Sequence, residues 1–252
     1  MKSNYPRKED IEYLNKYQKE NNLSDKLYQE YLKELSKGIP VQYVIGNVNF
    51  YGYQIKVDKS VLIPRYETEL LVDKTINKIK KYFPNQKVSI LDLGTGSGCI
   101  AITLKKELES SVDALDISID ALNIASYNAN LNQADINFIN QDMTTYQEKK
   151  YDIIISNPPY IRYDEEIMDI VAYNEPSIAL YAEDNGLYFY KKIIDNLKYL
   201  TNDKYLICFE IGLNQSTDII NYLKSKINNI NISVEKDYSD KERFIFITNI
   251  NS

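Results

Sequence analysis

A glycine-rich turn after a buried strand is the feature that most constrains the fold of this chain. The apolar segment 88–93 ends at Gly94, and Gly96 and Gly98 follow at alternate positions. A helical pattern begins directly after Gly98. Because glycine lets the backbone bend tightly and lets a ligand approach its amides, this unit predicts a ligand site at the carboxyl end of a strand.

The spacing of these glycines argues against a dinucleotide. The dinucleotide-binding pattern is Gly-x-Gly-x-x-Gly, whereas here Cys99 occupies the sixth position and Gly98 comes one residue early. With Asp92 inside the strand, the segment is similar to the S-adenosylmethionine-binding loop of class I methyltransferases. Asp116, at the end of the next strand, would accept hydrogen bonds from ribose hydroxyls. The alternative is a tight turn alone, with Asp116 as a solvated strand end.

Strands and helices alternate from residue 88 onwards, which predicts an α/β fold. Seven segments have the character of strands: 88–93, 112–116, 136–139, 151–156, 205–210, 230–234 and 243–248. Helical patterns separate most of them, so we expect a mostly parallel, doubly wound sheet with its ligands at the carboxyl ends of the strands. The last two strands have no helix between them, so the final strand should run antiparallel.

Two smaller units precede the sheet. Residues 1–40 carry two short helical patterns, with Ser24 as a candidate cap of the second, and are predicted to form a small N-terminal helical domain. Residues 41–66 are predicted to be a linker with a β-hairpin that turns at Tyr51-Gly52. Residues 67–252 then form the α/β domain.

The composition excludes several kinds of chemistry. The chain has no histidine, and its two cysteines lack metal-ligand spacing, so we expect neither histidine-based catalysis nor a metal site. Its 30 Lys and Arg against 36 Asp and Glu give a net charge of −6, which argues against direct nucleic-acid binding. Without a signal-peptide-like start or a long uncharged apolar segment, we expect a cytoplasmic monomer without membrane contact.

The segment Asn157-Pro158-Pro159-Tyr160 follows the strand 151–156 and carries the most chemical information. The two prolines restrict the backbone, so the carbonyls near Asn157 and Pro158 become rigid acceptors. Asn157 adds a side-chain carbonyl, and Tyr160 adds a flat apolar wall. Two such acceptors suit a planar NH₂ group whose lone pair faces a methyl donor. A Pro-Pro pair alone would equally suit a stiff turn.

These segments resemble the PrmC/HemK family, the peptide chain release factor N5-glutamine methyltransferases. The similar segments run in family order from about residue 37 to the end: 38–46, 50–52, 63–69, 91–101, 142, 157–160, 175–176, 179–180, 185–187, 210–212, 215, 237–238 and 243. The resemblance implies a Rossmann-like, class I S-adenosylmethionine-dependent methyltransferase with a mostly parallel seven-stranded sheet. Its substrate would be the glutamine amide in the Gly-Gly-Gln motif of class-1 release factors.

The resemblance also implies the residues that bind the cofactor. The methionine part would contact Gly94, Thr95, Gly96, Ser97 and Gly98, and the ribose would contact Asp116. Asp142 would accept from the adenine amino group while Met143 packs on the ring, although an Asp after a strand is also an ordinary turn residue. Asn157 would border both the cofactor and the substrate.

The acceptor residues follow in the same way. The resemblance implies that Asn157, Pro158, Pro159 and Tyr160 bind the glutamine amide, with Asn157, Pro158 and Tyr160 as the catalytic residues. Arg65 is expected to meet backbone carbonyls of the glutamine-bearing loop, and the helical domain 1–40 to dock the release factor. As an alternative for this linker, Glu67 and Glu69 suit the first turn of a helix, where negative charge is favourable.

Two other functions remain open from the sequence. An adenine-N6 or cytosine-N4 nucleic-acid methyltransferase also acts on an exocyclic NH₂ group, which it would flip into its pocket, but it would normally bring a basic groove or a recognition domain. A non-catalytic docking module that binds S-adenosylmethionine would keep the fold. Such a module would not need both the segment 157–160 and the glycine-rich turn.

Overall fold

The N-terminal part of the chain forms a small helical lobe. In the computed structural model, which describes residues 5–250, helices α1 (Lys8–Asn21) and α2 (Asp25–Leu35) make up most of this lobe. Residues 1–4 of the predicted first domain and residues 251–252 of the predicted last domain lie outside the described residues. As predicted, Ser24 caps α2, because its hydroxyl accepts from the amide of Leu27 at 3.4 Å.

The linker contains the predicted hairpin and a helix that the sequence analysis missed. The short helix α3 (Val41–Ile45) packs Val41 and Ile45 against the apolar side chains of the lobe, so the core of the lobe extends past residue 40. Strands β1 (Asn47–Phe50) and β2 (Tyr53–Lys56) pair antiparallel around the predicted turn. Their inner side chains are buried against the α/β domain.

Seven strands form the predicted sheet. They are β3 (Ser89–Leu93), β4 (Ser111–Asp116), β5 (Asn137–Asn140), β6 (Tyr151–Ser156), β7 (Thr201–Glu210), β8 (Asn231–Lys236) and β9 (Glu242–Thr248). Their order across the sheet is β5-β4-β3-β6-β7-β9-β8, and β9 runs opposite to the other six strands, which confirms the expected direction of the last strand. β7 begins four residues earlier than predicted and has an irregular register against the start of β6.

Helices cover both faces of the sheet. The remaining helices are α4 (Tyr66–Tyr82), α5 (Cys99–Glu107), α6 (Ile119–Leu131), α7 (Asp169–Asn174), α8 (Ser177–Leu180), α9 (Glu183–Gly186), α10 (Tyr188–Leu200) and α11 (Ser216–Lys226). One core packs α4, α5, α6 and the hairpin on one face, and a second core packs α10 and α11 on the other. The short turns α7 to α9 lie in a segment for which the sequence predicted no helix.

The parallel strands bring several chain segments to one edge of the sheet. Leu93, the last residue of β3, lies opposite Leu115 of β4 and Ser156 of β6. The segments that follow β3, β4 and β6 therefore leave the sheet side by side. Within residues 5–250, no helix combines the length and the apolar character needed to cross a membrane.

Candidate functional site

One cavity lies over the carboxyl ends of the parallel strands. It is lined by six of the predicted cofactor residues, Gly94, Gly96, Asp116, Asp142, Met143 and Asn157, together with Pro159. Residues that the sequence placed in two different roles are thus brought to the same cavity. We call the first five residues the donor side, and Asn157-Pro158-Pro159-Tyr160 the acceptor side.

The glycine-rich turn packs closely against the segment after β5. At Gly94, whose φ is +74°, a Cβ atom would lie only 2.8 Å from Cε of Met143. The amides of Gly94 and Thr95 both donate to the carbonyl of Leu115 at 2.9 Å, which ties the turn to β4. Gly94 and Gly96 line the cavity, whereas Thr95 and Ser97 are buried and Gly98 directly precedes α5 as its N-cap. The predicted contacts of these last three residues with a cofactor remain predictions.

Two carboxyl groups contact the glycine-rich turn. Asp92 is fully buried, its Oδ2 accepts from the Thr95 hydroxyl at 2.6 Å, and burial raises its pKa to about 7. Its Oδ1 has no hydrogen-bond partner among the described residues. Asp116 accepts from the amides of Gly96 at 2.8 Å and Ser118 at 2.9 Å, one on each oxygen, and burial raises its pKa. Since a carboxylate has about four acceptor positions, Asp116 retains capacity for ligand hydroxyls.

Asp142 and Met143, which follow β5, are the remaining two residues of the donor side. Oδ1 of Asp142 accepts from the amide of Thr144 at 2.7 Å, so this residue does form the local turn that was the alternative interpretation. Both residues also line the cavity, next to Tyr188 and Phe189 at the start of α10. The turn and a ligand contact are therefore compatible, and the predicted adenine contact remains a prediction.

Asn157 is held by two side chains that the sequence analysis did not single out. Its Nδ2 donates to Oγ1 of Thr68, in the first turn of α4, at 3.1 Å. The Thr68 hydroxyl in turn donates to Oε2 of Glu210, the last residue of β7, at 2.8 Å. Glu210 is 1% exposed, and this burial raises its pKa to about 7.

Gln215 and Gly186 contact the backbone of Tyr160 at the end of the acceptor side. The carbonyl of Tyr160 accepts from Nε2 of Gln215 at 3.0 Å, and Oε1 of Gln215 accepts from the amide of Gly212 at 2.8 Å. Gly186 has a φ of +82°, and a Cβ there would overlap the Tyr160 carbonyl and lie 2.5 Å from Nε2 of Gln215. Only glycine fits this position. Pro158 is buried, and burial raises the pKa of the Tyr160 hydroxyl.

Arg65 forms an ion pair within the chain, and its expected contact with the glutamine-bearing loop remains a prediction. Its guanidinium forms an ion pair with Oε1 of Glu175 at 2.5 Å, and Oε2 of this buried carboxylate accepts from the amide of Ile63 at 3.2 Å. These bonds connect the linker to the segment after α7, and residues 60–62, 176, 178 and 179 of these two stretches also line the cavity. Glu67 and Glu69 lie in the first turn of α4, as the structural alternative predicted.

The sequence analysis missed the supporting residues for an identifiable reason. Thr68, Gly186, Glu210 and Gln215 all fall inside segments that carried the family resemblance, but the resemblance gave them no role. Their partners are distant in sequence, since Thr68 and Glu210 are 142 residues apart. Neither spacing nor periodicity reveals such a contact.

Comparisons with known proteins match this chain to methyltransferases. A family model described as "Methyltransferase small domain" matches residues 68–173. The release factor glutamine methyltransferase of Lactococcus lactis is 39% identical over 225 residues, which cover 88% of this chain and 82% of that protein. The one of Bacillus subtilis is 39% identical over 230 residues, which cover 88% and 80%.

The fold is also found in solved structures. The ribosomal protein L11 methylase of Lactobacillus delbrueckii superposes with a TM-score of 0.54, at 22% identity, over 77% of this chain and 83% of its own. At this identity the likeness shows the fold alone. That fold is the class I methyltransferase fold, with the predicted mostly parallel seven-stranded sheet.

Proposed function

Because this chain belongs to the release factor glutamine methyltransferase family, we propose that it methylates the side-chain amide nitrogen of a glutamine, with S-adenosylmethionine as the donor. The glutamine is that of the Gly-Gly-Gln motif of a class-1 peptide chain release factor. The observation that carries the proposal is that the donor side and Asn157 of the acceptor side line one cavity. A methyl donor and a bound amide would therefore meet directly.

The donor side fits the cofactor by its chemistry. S-adenosylmethionine supplies an electrophilic methyl group on a sulfonium centre. Asp116 would accept from the ribose hydroxyls with its remaining lone pairs, while Asp142 and Met143 would border the adenine. Gly94 and Gly96 would let the methionine part approach the backbone. In its carboxylate form, Asp92, whose Oδ1 has no partner among the described residues, would add negative potential near a cationic ligand.

The acceptor side explains how a weak nucleophile reacts. An amide nitrogen has a delocalised lone pair, so it becomes nucleophilic only as it turns pyramidal and partly positive. Oδ1 of Asn157 and a backbone carbonyl of Asn157 or Pro158 would accept the two N–H bonds, and these bonds strengthen as the nitrogen gains positive charge. The rate enhancement then comes from positioning and electrostatic stabilisation.

Recognition of the protein substrate belongs to the same proposal. The helical lobe would dock the release factor, and Arg65, held by its ion pair with Glu175, would meet backbone carbonyls of the glutamine-bearing loop. We expect the active species to be a cytoplasmic monomer.

Mass spectrometry of a class-1 release factor tests the reaction. Incubation with this protein and S-adenosylmethionine should add one methyl group, and peptide mapping should place it on the Gly-Gly-Gln glutamine. A release factor with that glutamine replaced by alanine is the matched control and should gain nothing. Methyl transfer to adenine or cytosine in a parallel reaction with oligonucleotides, and none to the release factor, would refute the proposal.

A further inference from the structure

Three side chains from three distant elements form a buried hydrogen-bonded row that ends at the acceptor side. Glu210 ends β7, Thr68 lies in the first turn of α4, and Asn157 follows β6. The two successive bonds measure 2.8 Å and 3.1 Å. Thr68 is 3% exposed and Glu210 is 1% exposed, so their bond is shielded from water, whereas Asn157 is half-buried at the cavity.

The direction of the row follows from the proton count of a hydroxyl. Thr68 has one hydroxyl proton, and it donates this proton to Glu210. Its oxygen must then accept from Asn157, which turns Nδ2 of Asn157 towards Thr68. Oδ1, on the opposite branch of the amide, is left free to accept from another group. Without this row the asparagine amide has no fixed orientation, because its two ends have nearly the same shape.

We propose that Glu210 and Thr68 are positioning residues that fix the amide orientation of Asn157, so that Oδ1 faces the amide of the substrate. The inference rests on the proposed function, in which that substrate group is an N–H donor. A flipped Asn157 would present Nδ2–H to another N–H donor, which is repulsive. A negative charge on Glu210 also polarises the row and makes Oδ1 a stronger acceptor as the substrate nitrogen becomes positive.

The charged state of Glu210 depends on the groups that face it. The ionisable side chains around it are Arg65, Glu67, Cys99, Tyr160, Tyr190 and Arg243. The two arginines favour the carboxylate, whereas burial and Glu67 oppose it, with burial as the largest effect. Protonation of Glu210 would let it donate to Thr68 and would remove the reason for the orientation of Asn157. The row therefore operates with the carboxylate form.

Substitution of Thr68 separates positioning from structure. Thr68→Val keeps the shape but removes the hydroxyl, so we expect kcat for methyl transfer to fall about 10- to 100-fold. The cofactor Kd and the KM for the release factor should stay within about threefold. Thr68→Ser restores the hydroxyl and should restore kcat to within about threefold of wild type.

A second threonine of the same helix provides the control. Thr75 is also fully buried in α4, but its hydroxyl donates to the carbonyl of Leu71 within the helix. Thr75→Val should therefore leave kcat unchanged. Wild-type kcat in Thr68→Val, or equal losses in Thr68→Val and Thr68→Ser, would overturn the proposal.

A spectroscopic readout keeps the inference separate from the proposed reaction. In ¹⁵N-labelled protein, the Nδ2 proton that Asn157 donates to residue 68 should exchange slowly in wild type and Thr68→Ser, and at least tenfold faster in Thr68→Val. If the wild-type protein methylates no release factor, the proposed function fails, but this exchange measurement still tests the orientation of Asn157. Equal exchange rates in all three proteins would overturn the positioning role.

Discussion

The two sides of the cavity are built in different ways. On the donor side, the supporting contacts are short in sequence, since Asp116 accepts from Gly96 20 residues away and Asp142 from Thr144 two residues away. On the acceptor side, Asn157 contacts Thr68 across 89 residues, and Tyr160 contacts Gln215 across 55. The donor side is thus a property of consecutive strand–turn units. The acceptor side depends on contacts between distant parts of the chain, which form only in the folded domain.

This difference predicts how each side responds to the substitution of a single residue. The donor side rests on turns that strands β3 to β5 fix locally, so loss of one of its contacts should affect mainly one part of the ligand. The acceptor side is a short segment held from α4, α9, β7 and the turn before α11, so a change in any of these elements should move the segment 157–160. The following predictions test this contrast, beginning with the largest expected effect.

Gly186→Ala should damage the acceptor side most. The added Cβ would overlap the Tyr160 carbonyl, so we expect methyl transfer to fall about 100-fold and the free energy of unfolding to fall by about 3 kcal/mol. Gly52→Ala is the matched control, because Gly52 has a similar φ of +85° but open space around its Cβ position. It should cost only the backbone strain, about 1 kcal/mol. Equal losses of methyl transfer and of stability in Gly186→Ala and Gly52→Ala would show that the close approach to the Tyr160 carbonyl is unimportant.

Glu210→Gln should change how stability depends on pH. Burial raises the pKa of Glu210 from 4.5 to about 7, so this side chain favours folding below pH 4.5 and loses that contribution as the pH rises through 7. Relative to Glu210→Gln, wild type should lose about 3 kcal/mol between pH 4.5 and 8. Urea unfolding of both proteins at several pH values measures this difference, in which the titration of Asp92 cancels. A difference that does not vary with pH would contradict the burial of a titrating carboxyl.

Asp116→Ala should affect the donor side alone. Loss of the ribose acceptor should raise the cofactor Kd about 30-fold, or about 2 kcal/mol, while kcat at saturating cofactor changes much less. Asp120→Ala, which removes an exposed charge from the first turn of α6, is the control for net charge. An unchanged Kd in Asp116→Ala would contradict the proposal that Asp116 binds the ribose.

Arg65→Ala should have the smallest effect on stability. The arginine is 35% exposed and Glu175 keeps its bond to Ile63, so we expect unfolding to become easier by about 1 kcal/mol. Arg162→Ala breaks an exposed ion pair with Asp164 and should change almost nothing. If Arg65 contacts the release factor, its replacement should also raise the KM for that substrate severalfold. An unchanged KM would restrict Arg65 to a structural role.

The fold could be predicted closely because its signals are local. Strand–turn–helix units have their own periodicity and turn residues, and the absence of a helix between β8 and β9 indicated the antiparallel strand. The helices α3 and α7 to α9 were missed because each has only four to six residues, too few for a helical period. The extra length of β7 was missed because residues 201–204 are mostly polar and pair at the irregular edge of β6.

The motifs of the site could be predicted from the sequence, but the side chains that hold these motifs in place could not. The glycine-rich turn and Asn157-Pro158-Pro159-Tyr160 are continuous in sequence, so their residue types indicate their chemistry. Thr68 and Gln215 have ordinary surroundings in sequence, and only the packed domain brings them to Asn157 and Tyr160. The ion pair of Arg65 with Glu175 likewise joins residues that lie 110 positions apart. A sequence pattern does not encode such pairings.

The separation of the two sides is tested most directly by Asn157→Ala. Cofactor affinity by calorimetry and methyl transfer to a class-1 release factor should be measured on the same preparation. Because Oδ1 of Asn157 would act mainly on the reacting amide, we expect transfer to fall by at least about 100-fold while the cofactor Kd stays within about threefold. A loss of cofactor affinity as large as the loss of transfer would contradict the division into a donor side and an acceptor side.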